Sequence, residues 1–172
     1  MNRFKLISSV ISVIATLMLS GCFVSERPLI SAAEADYPFQ SITYEFPGED
    51  DRVTLVRTGE SYTAPAEEGD GKLLLKQISD DTYVLQIEFL EGGKPSFLFA
   101  LAKLAADKKS LVLIKPFAQE ADLEVARRGD HGLKPCAADP DVICLTTLDG
   151  YVKYALDSDA AGHRSITVVE LN

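Results

Sequence analysis

The sequence predicts a single mainly-β domain, a small antiparallel barrel or sandwich with one or two short helices. Three observations carry this prediction. Apolar and polar residues alternate with a period of two in successive segments between Ile42 and Ile114. Clusters of Gly, Pro, Asp and Ser separate those segments at the spacing of a meander. Helical periods are confined to two short stretches, near 117–128 and 148–156.

The chain opens with Met1-Asn2-Arg3-Phe4-Lys5, a short basic start. An uncharged run from Leu6 to Leu19 follows, interrupted by Ser8, Ser9, Ser12 and Thr16. This is the layout of a secretory signal. The run falls short of the ~20 apolar residues that a spanning helix wants. It ends in Leu19-Ser20-Gly21-Cys22, which resembles the lipobox of bacterial lipoproteins. The resemblance implies a diacylglyceryl group on the Cys22 thiol, cleavage just before Cys22, and an acyl chain such as palmitate on the freed amine. Small residues before the cut suit a protease cleft, and a thiolate is nucleophilic enough for the thioether step. One acyl chain gives marginal membrane binding, whereas two or three on one cysteine give a lasting anchor. Residues 1–21 therefore read as a signal peptide and Cys22 as the lipidation site.

From Phe23 to about Tyr37 no period persists, and Pro28 breaks any helix. Residues 22–37 read as the lipidated cysteine and a tether, leaving 38–172 for the globular domain. The opening from Cys22 to Ile30 resembles the start of a group of uncharacterised proteobacterial envelope lipoproteins, a likeness that implies a location and no activity. Phe23 stands where some enterobacteria place the Asp that retains lipoproteins in the inner membrane. The expected location is therefore the outer membrane, with the domain facing the periplasm.

Ile42, Tyr44 and Phe46 alternate with Thr43 and Glu45, a half-buried strand. Pro47-Gly48-Glu49-Asp50-Asp51 is a turn, Val53–Arg57 a second strand, and Gly59–Gly71 a polar loop. Lys72–Ile78, Tyr83–Phe89, Phe97–Ala102 and Leu111–Ile114 are four strands. The turns between them are Ser79-Asp80-Asp81, Glu91-Gly92-Gly93-Lys94 and Asp107-Lys108-Lys109. Such short turns predict an up-and-down antiparallel meander. Phe97, Phe99 and Leu101 share one face, with Leu98, Ala100 and Ala102 on the other, so this strand is expected to be covered on both sides.

Phe117–Arg128 fits two periods. Ala121, Leu123 and Val125 alternate as in a strand, while Phe117, Ala121 and Val125 line one helical face. Gly129 as a stop, early acids and late Arg127-Arg128 favour a short helix. Leu148–Leu156 reads as a second helix and Ile166–Leu171 as a closing strand. A last strand that returns to the sheet removes an exposed edge.

If the lipid takes Cys22, then Cys136 and Cys144, flanking the turn-forming Ala137-Ala138-Asp139-Pro140-Asp141, are the remaining pair. Beyond the inner membrane they are expected to form a disulfide, contributing about 2.5 kcal/mol through loop entropy. Buried free thiols and a metal site are the rival readings. Two thiols alone fall short of a structural zinc site, so no metal or cofactor is expected.

Other chemistry is sparse. The chain has two histidines, His131 and His163, and no nucleophile elbow, phosphate loop or metalloprotease motif. A Cys144–His131 nucleophile and base would require a free Cys144. Glu49-Asp50-Asp51, Glu67-Glu68-Gly69-Asp70 and Asp157-Ser158-Asp159 could in principle offer oxygens to calcium, the last most readily. Turns, however, favour Asp for backbone reasons. From Cys22 on, 15 basic residues face 26 acidic ones, a net −11. That balance argues against nucleic acid as a partner and against anionic lipid headgroups. The expected function is a non-enzymatic interaction or structural module, held to a membrane by Cys22 and meeting an envelope protein. The alternative is a lipocalin-like carrier of a small apolar ligand.

Overall fold

The computed structural model describes residues 22–45, 52–64, 71–91, 93–106, 108–114, 118–159 and 168–171. They form strands β1 (Phe23–Ser25), β2 (Ser41–Glu45), β3 (Arg52–Thr58), β4 (Ser61–Thr63), β5 (Lys72–Ser79) and β6 (Thr82–Glu91). Then come β7 (Lys94–Leu104), β8 (Ser110–Ile114), helix α1 (Glu120–Arg128), β9 (Leu133–Pro135), β10 (Ile143–Leu145), helix α2 (Leu148–Asp159) and β11 (Val168–Leu171). The domain is mainly β, as its alternation requires.

Strands β2 to β8 each pair antiparallel with the next. β11 returns between β8 and β2. The meander expected over Lys72–Ile114 is therefore present, and the pairings of these eight strands form a ring. The sheet as a whole stays open. Where β8 stops at Leu101, β1 takes over the edge of β7 at Phe97–Phe99. β10 follows parallel to β1, and β9 pairs antiparallel to β10 and ends the sheet.

β7 separates two cores. All six residues from Phe97 to Ala102 are buried, the two-sided cover that their composition predicts. Phe97, Phe99 and Leu101 pack with Leu123 and Ala126 of α1, Tyr151 and Tyr154 of α2, and Phe23 and Ile143. Ala100 and Ala102 face the other core with Ile42, Tyr62, Leu73, Leu75, Tyr83, Leu85 and Leu111. Tyr83 lies opposite Ala102 and Leu85 opposite Ala100. Each large side chain thus meets a small one, which fills the interior without overpacking.

The ambiguous stretch is a helix. Asp122 caps its start by accepting from the Gln119 N–H (2.6 Å). Gly129 (φ 73°) ends it in the left-handed conformation that glycine adopts freely. The buried face carries Asp122, Leu123 and Ala126, whereas Ala121 is exposed. Phe117 and the turn at 47–51 lie outside the described residues. After α1, His131 takes a positive φ of 56° and its carbonyl comes close to Gly150. A Cβ at position 150 would sit 2.0 Å from that oxygen, so only glycine fits.

Two expectations need correction. The polar loop at 59–71 contains β4, whose Tyr62 is fully buried. Its hydroxyl donates to the Phe39 carbonyl (3.0 Å) and accepts from the Phe39 N–H (3.2 Å). A strand of three residues is too short to show alternation. The second correction is the tether, because residues 23–36 are built into the domain. Phe23 and Ile30 are fully buried. The Gln86 side chain accepts from the N–H groups of Leu29 (2.7 Å) and Ile30 (2.8 Å) and donates to the Ile30 carbonyl (3.0 Å). Asp36 donates its N–H to Leu75 (2.8 Å) and accepts from the Gln77 N–H (2.7 Å). The segment is irregular, so its binding shows in partners distant in sequence and leaves no period behind.

Candidate functional site

The site residues named from sequence come together on adjacent strands. Cys22 precedes β1 directly, and its carbonyl accepts from the Ile143 N–H (3.2 Å). Phe23 fixes this start by packing against Tyr151 (ring centroids 5.1 Å apart) and Tyr154 (6.4 Å). Across the parallel pair, Val24 lies beside Cys144. Cys144 stands at disulfide distance from Cys136, with S–S 2.03 Å and Cα–Cα 4.9 Å. The disulfide closes the turn 136–144 at the flank of β1. Cys22 itself is 1% exposed, and burial pushes its thiol up to about 11 from an ordinary 9.0.

Cys144 is thereby taken from any nucleophile–base pair with His131. The His131 ring packs on Tyr154 (5.5 Å), and His163 lies outside the described residues. Next to them is a polar cluster that no sequence motif marks. Asp122, 1% exposed, accepts from both the Gln119 N–H and the Tyr154 hydroxyl. The Tyr151 hydroxyl is fully buried beside the Leu101 backbone, without a well-formed hydrogen bond. Burial, then the Asp122 carboxylate, pushes Tyr151 far up. Burial and the hydrogen bond to Asp122 do the same to Tyr154. Both phenols stay protonated at neutral pH. The cluster clips α2 to the start of α1. The one advance sign in the sequence is Gln119-x-x-Asp122, spaced as a helix cap.

A half-open cleft of about 280 Å³ lies on the outer face of β4–β6, lined by Ala32, Glu60, Ser61, Lys72, Leu74, Gln86 and Glu88. Lys72 Nζ and Glu88 Oε2 stand 3.9 Å apart. The amide of Gln86 is engaged by residues 29 and 30, leaving a shallow polar dent with no paired nucleophile and base.

Among the described residues, no three His, Cys, Asp or Glu side chains converge as a metal site would need. Positions 157 and 159 both lie within α2. Two residues apart on a helix, they do not share a face. The acidic runs 49–51 and 67–70 lie outside the described residues. Among the described residues, no helix is long and apolar enough to cross a membrane.

No protein-family model, curated protein or solved structure matches this chain.

Proposed function

We propose that this chain is a lipoprotein of the bacterial cell envelope, anchored through Cys22, whose domain works as a non-enzymatic interaction or structural module. The observation that carries this reading is the sequence Leu19-Ser20-Gly21-Cys22 behind a basic start and an uncharged run. The outer membrane, with the domain facing the periplasm, is the location that Phe23 after the cysteine favours. The contact of Asp122 with Tyr154 supports a structural role, since Tyr151 and Tyr154, the phenols that burial pushes far up, are engaged in the core between the helices and β7.

A carrier of a small apolar ligand is the second reading, and the ring of eight strands favours it, because a ring of that number can hold one small molecule. The described side chains inside the ring oppose it. Tyr62, Leu75 and Leu111 are fully buried there, leaving the interior to side chains rather than to a ligand.

One mass spectrum tests both. The full chain, expressed in a Gram-negative bacterium and extracted in detergent, is expected to begin at Cys22 and carry two or three acyl chains. Cys22→Ser should abolish both processing and lipid mass. An unacylated protein cut elsewhere would overturn the anchor. A stoichiometric small-molecule adduct in a native spectrum would move the carrier reading ahead.

A further inference from the structure

We infer that the domain is held directly against the bilayer in one orientation, with the disulfide-closed turn 136–144 at the headgroups and the β6–β7 turn pointing away. This rests on the proposal that Cys22 carries the anchor. Given that, the geometry leaves no slack. A free tether over 23–37 would let the domain stand as far as ~50 Å from its lipid, at 3.3–3.6 Å per extended residue. The structure removes it. β1 begins at Phe23, one residue after the anchor, and is paired on both edges, with β7 and with β10. Gln86 and the backbone of Leu75 hold the remainder of the segment down.

The register then fixes direction. Phe23 lies beside Phe99 and Ser25 beside Phe97, so β1 runs from the anchor towards the β6–β7 turn. Lys94, at that turn, is five residues from Phe99 along β7, about 17 Å at ~3.4 Å per residue. Two turns lie on the anchor's side: the one leading into β10, because Ile143 sits beside Phe23 and donates to the Cys22 carbonyl, and the β7–β8 turn, because β7 runs on from Phe99 to Leu104 in that direction. The carbonyl bond keeps the backbone of residue 22 in place, and the proposal requires the side chain, buried as the free thiol, to turn outward to the lipid once it is acylated. Charge does not drive the contact. Asp139 and Asp141 lie in the turn 136–144, and Lys108 and Lys109 in the β7–β8 turn on the same side, so the charges are mixed and the orientation comes from the covalent anchor and the docked strand.

The chain contains no tryptophan, so a single introduced one reports its own position. Ala138 and Lys94 are both exposed. Ala138→Trp and Lys94→Trp are made in the full chain, purified with lipid attached and placed in phosphatidylcholine vesicles containing a headgroup-nitroxide lipid. Quenching of the tryptophan at 138 is expected to exceed that at 94 several-fold. Inserting 15 Gly/Ser residues between Cys22 and Phe23, with a span of ~20 Å, should bring the two to the same low level. Equal quenching without the insertion, or stronger quenching at 94, would overturn the orientation while leaving the anchor intact. A protein without acyl mass that stays off the vesicles would overturn the anchor instead.

Discussion

Cys22 carries two demands that separate in time. On the proposed anchor reading the diacylglyceryl donor must reach it as a nucleophile, yet in the folded chain Cys22 is 1% exposed and its thiol is pushed up to about 11. On that reading, acyl transfer would have to precede the docking of β1. The neutral thiol is the form that the fold favours. Its stabilising effect is complete below about pH 9, the unfolded value, and is lost as pH rises towards 11. At pH 8 the thiolate fraction of folded Cys22 is about a hundredfold below that of an ordinary thiol. Cys136 and Cys144 are joined, so Cys22 alone takes the label in unlipidated full chain folded under oxidising conditions. Iodoacetamide at pH 8 should modify it at least ~100-fold more slowly than in denaturant. Equal rates would show that residue 22 is not buried in the fold.

Among the elements, α1 and α2 are joined by a buried polar contact between Asp122 and Tyr154. Asp122→Ala would leave the Gln119 N–H and the Tyr154 hydroxyl without their acceptor. Losing a cap costs ~1 kcal/mol, and each stranded buried polar group adds ~1–3 kcal/mol. The expected loss is ~2–4 kcal/mol, or roughly 5–15 °C in Tm for a domain of this size. Asp122→Asn keeps an oxygen acceptor and should recover most of it, which thermal denaturation followed by circular dichroism would measure. The elements that the sequence made legible are those long enough to repeat a period. β5 to β8 show it, as does α2, whereas the α1 stretch fits two periods and buries Leu123 and Ala126 rather than Ala121. β1, β4, β9 and β10 have three residues each, too few for alternation to stand out from chance. Gln86 reads as an ordinary polar strand residue because its partners, Leu29 and Ile30, are more than fifty positions away. The disulfide was legible because two cysteines flanking turn residues leave few other pairings. The closeness of Cys22 to it was not, since it depends on a parallel pairing across some 120 residues.

At the scale of the molecule, β11 joins the two ends of the ring. Deleting residues 168–172 would leave β2 and β8 each without a neighbour along one edge. Unpaired edges invite association, so the truncated chain should elute from a sizing column at a larger apparent mass than the full chain at equal concentration. An unchanged elution volume would mean that the two edges find cover elsewhere. The pairing of Ile42 with Leu171 also sets a clock. Strand β2 gains β3 beside it early, but 129 positions separate Ile42 from Leu171, its partner on the other edge. Contacts so distant in sequence make folding slow, on the scale of milliseconds to seconds. Throughout that interval the chain presents a bare strand edge to everything around it. If the chain is exported as proposed above, that edge would need cover until β11 arrives.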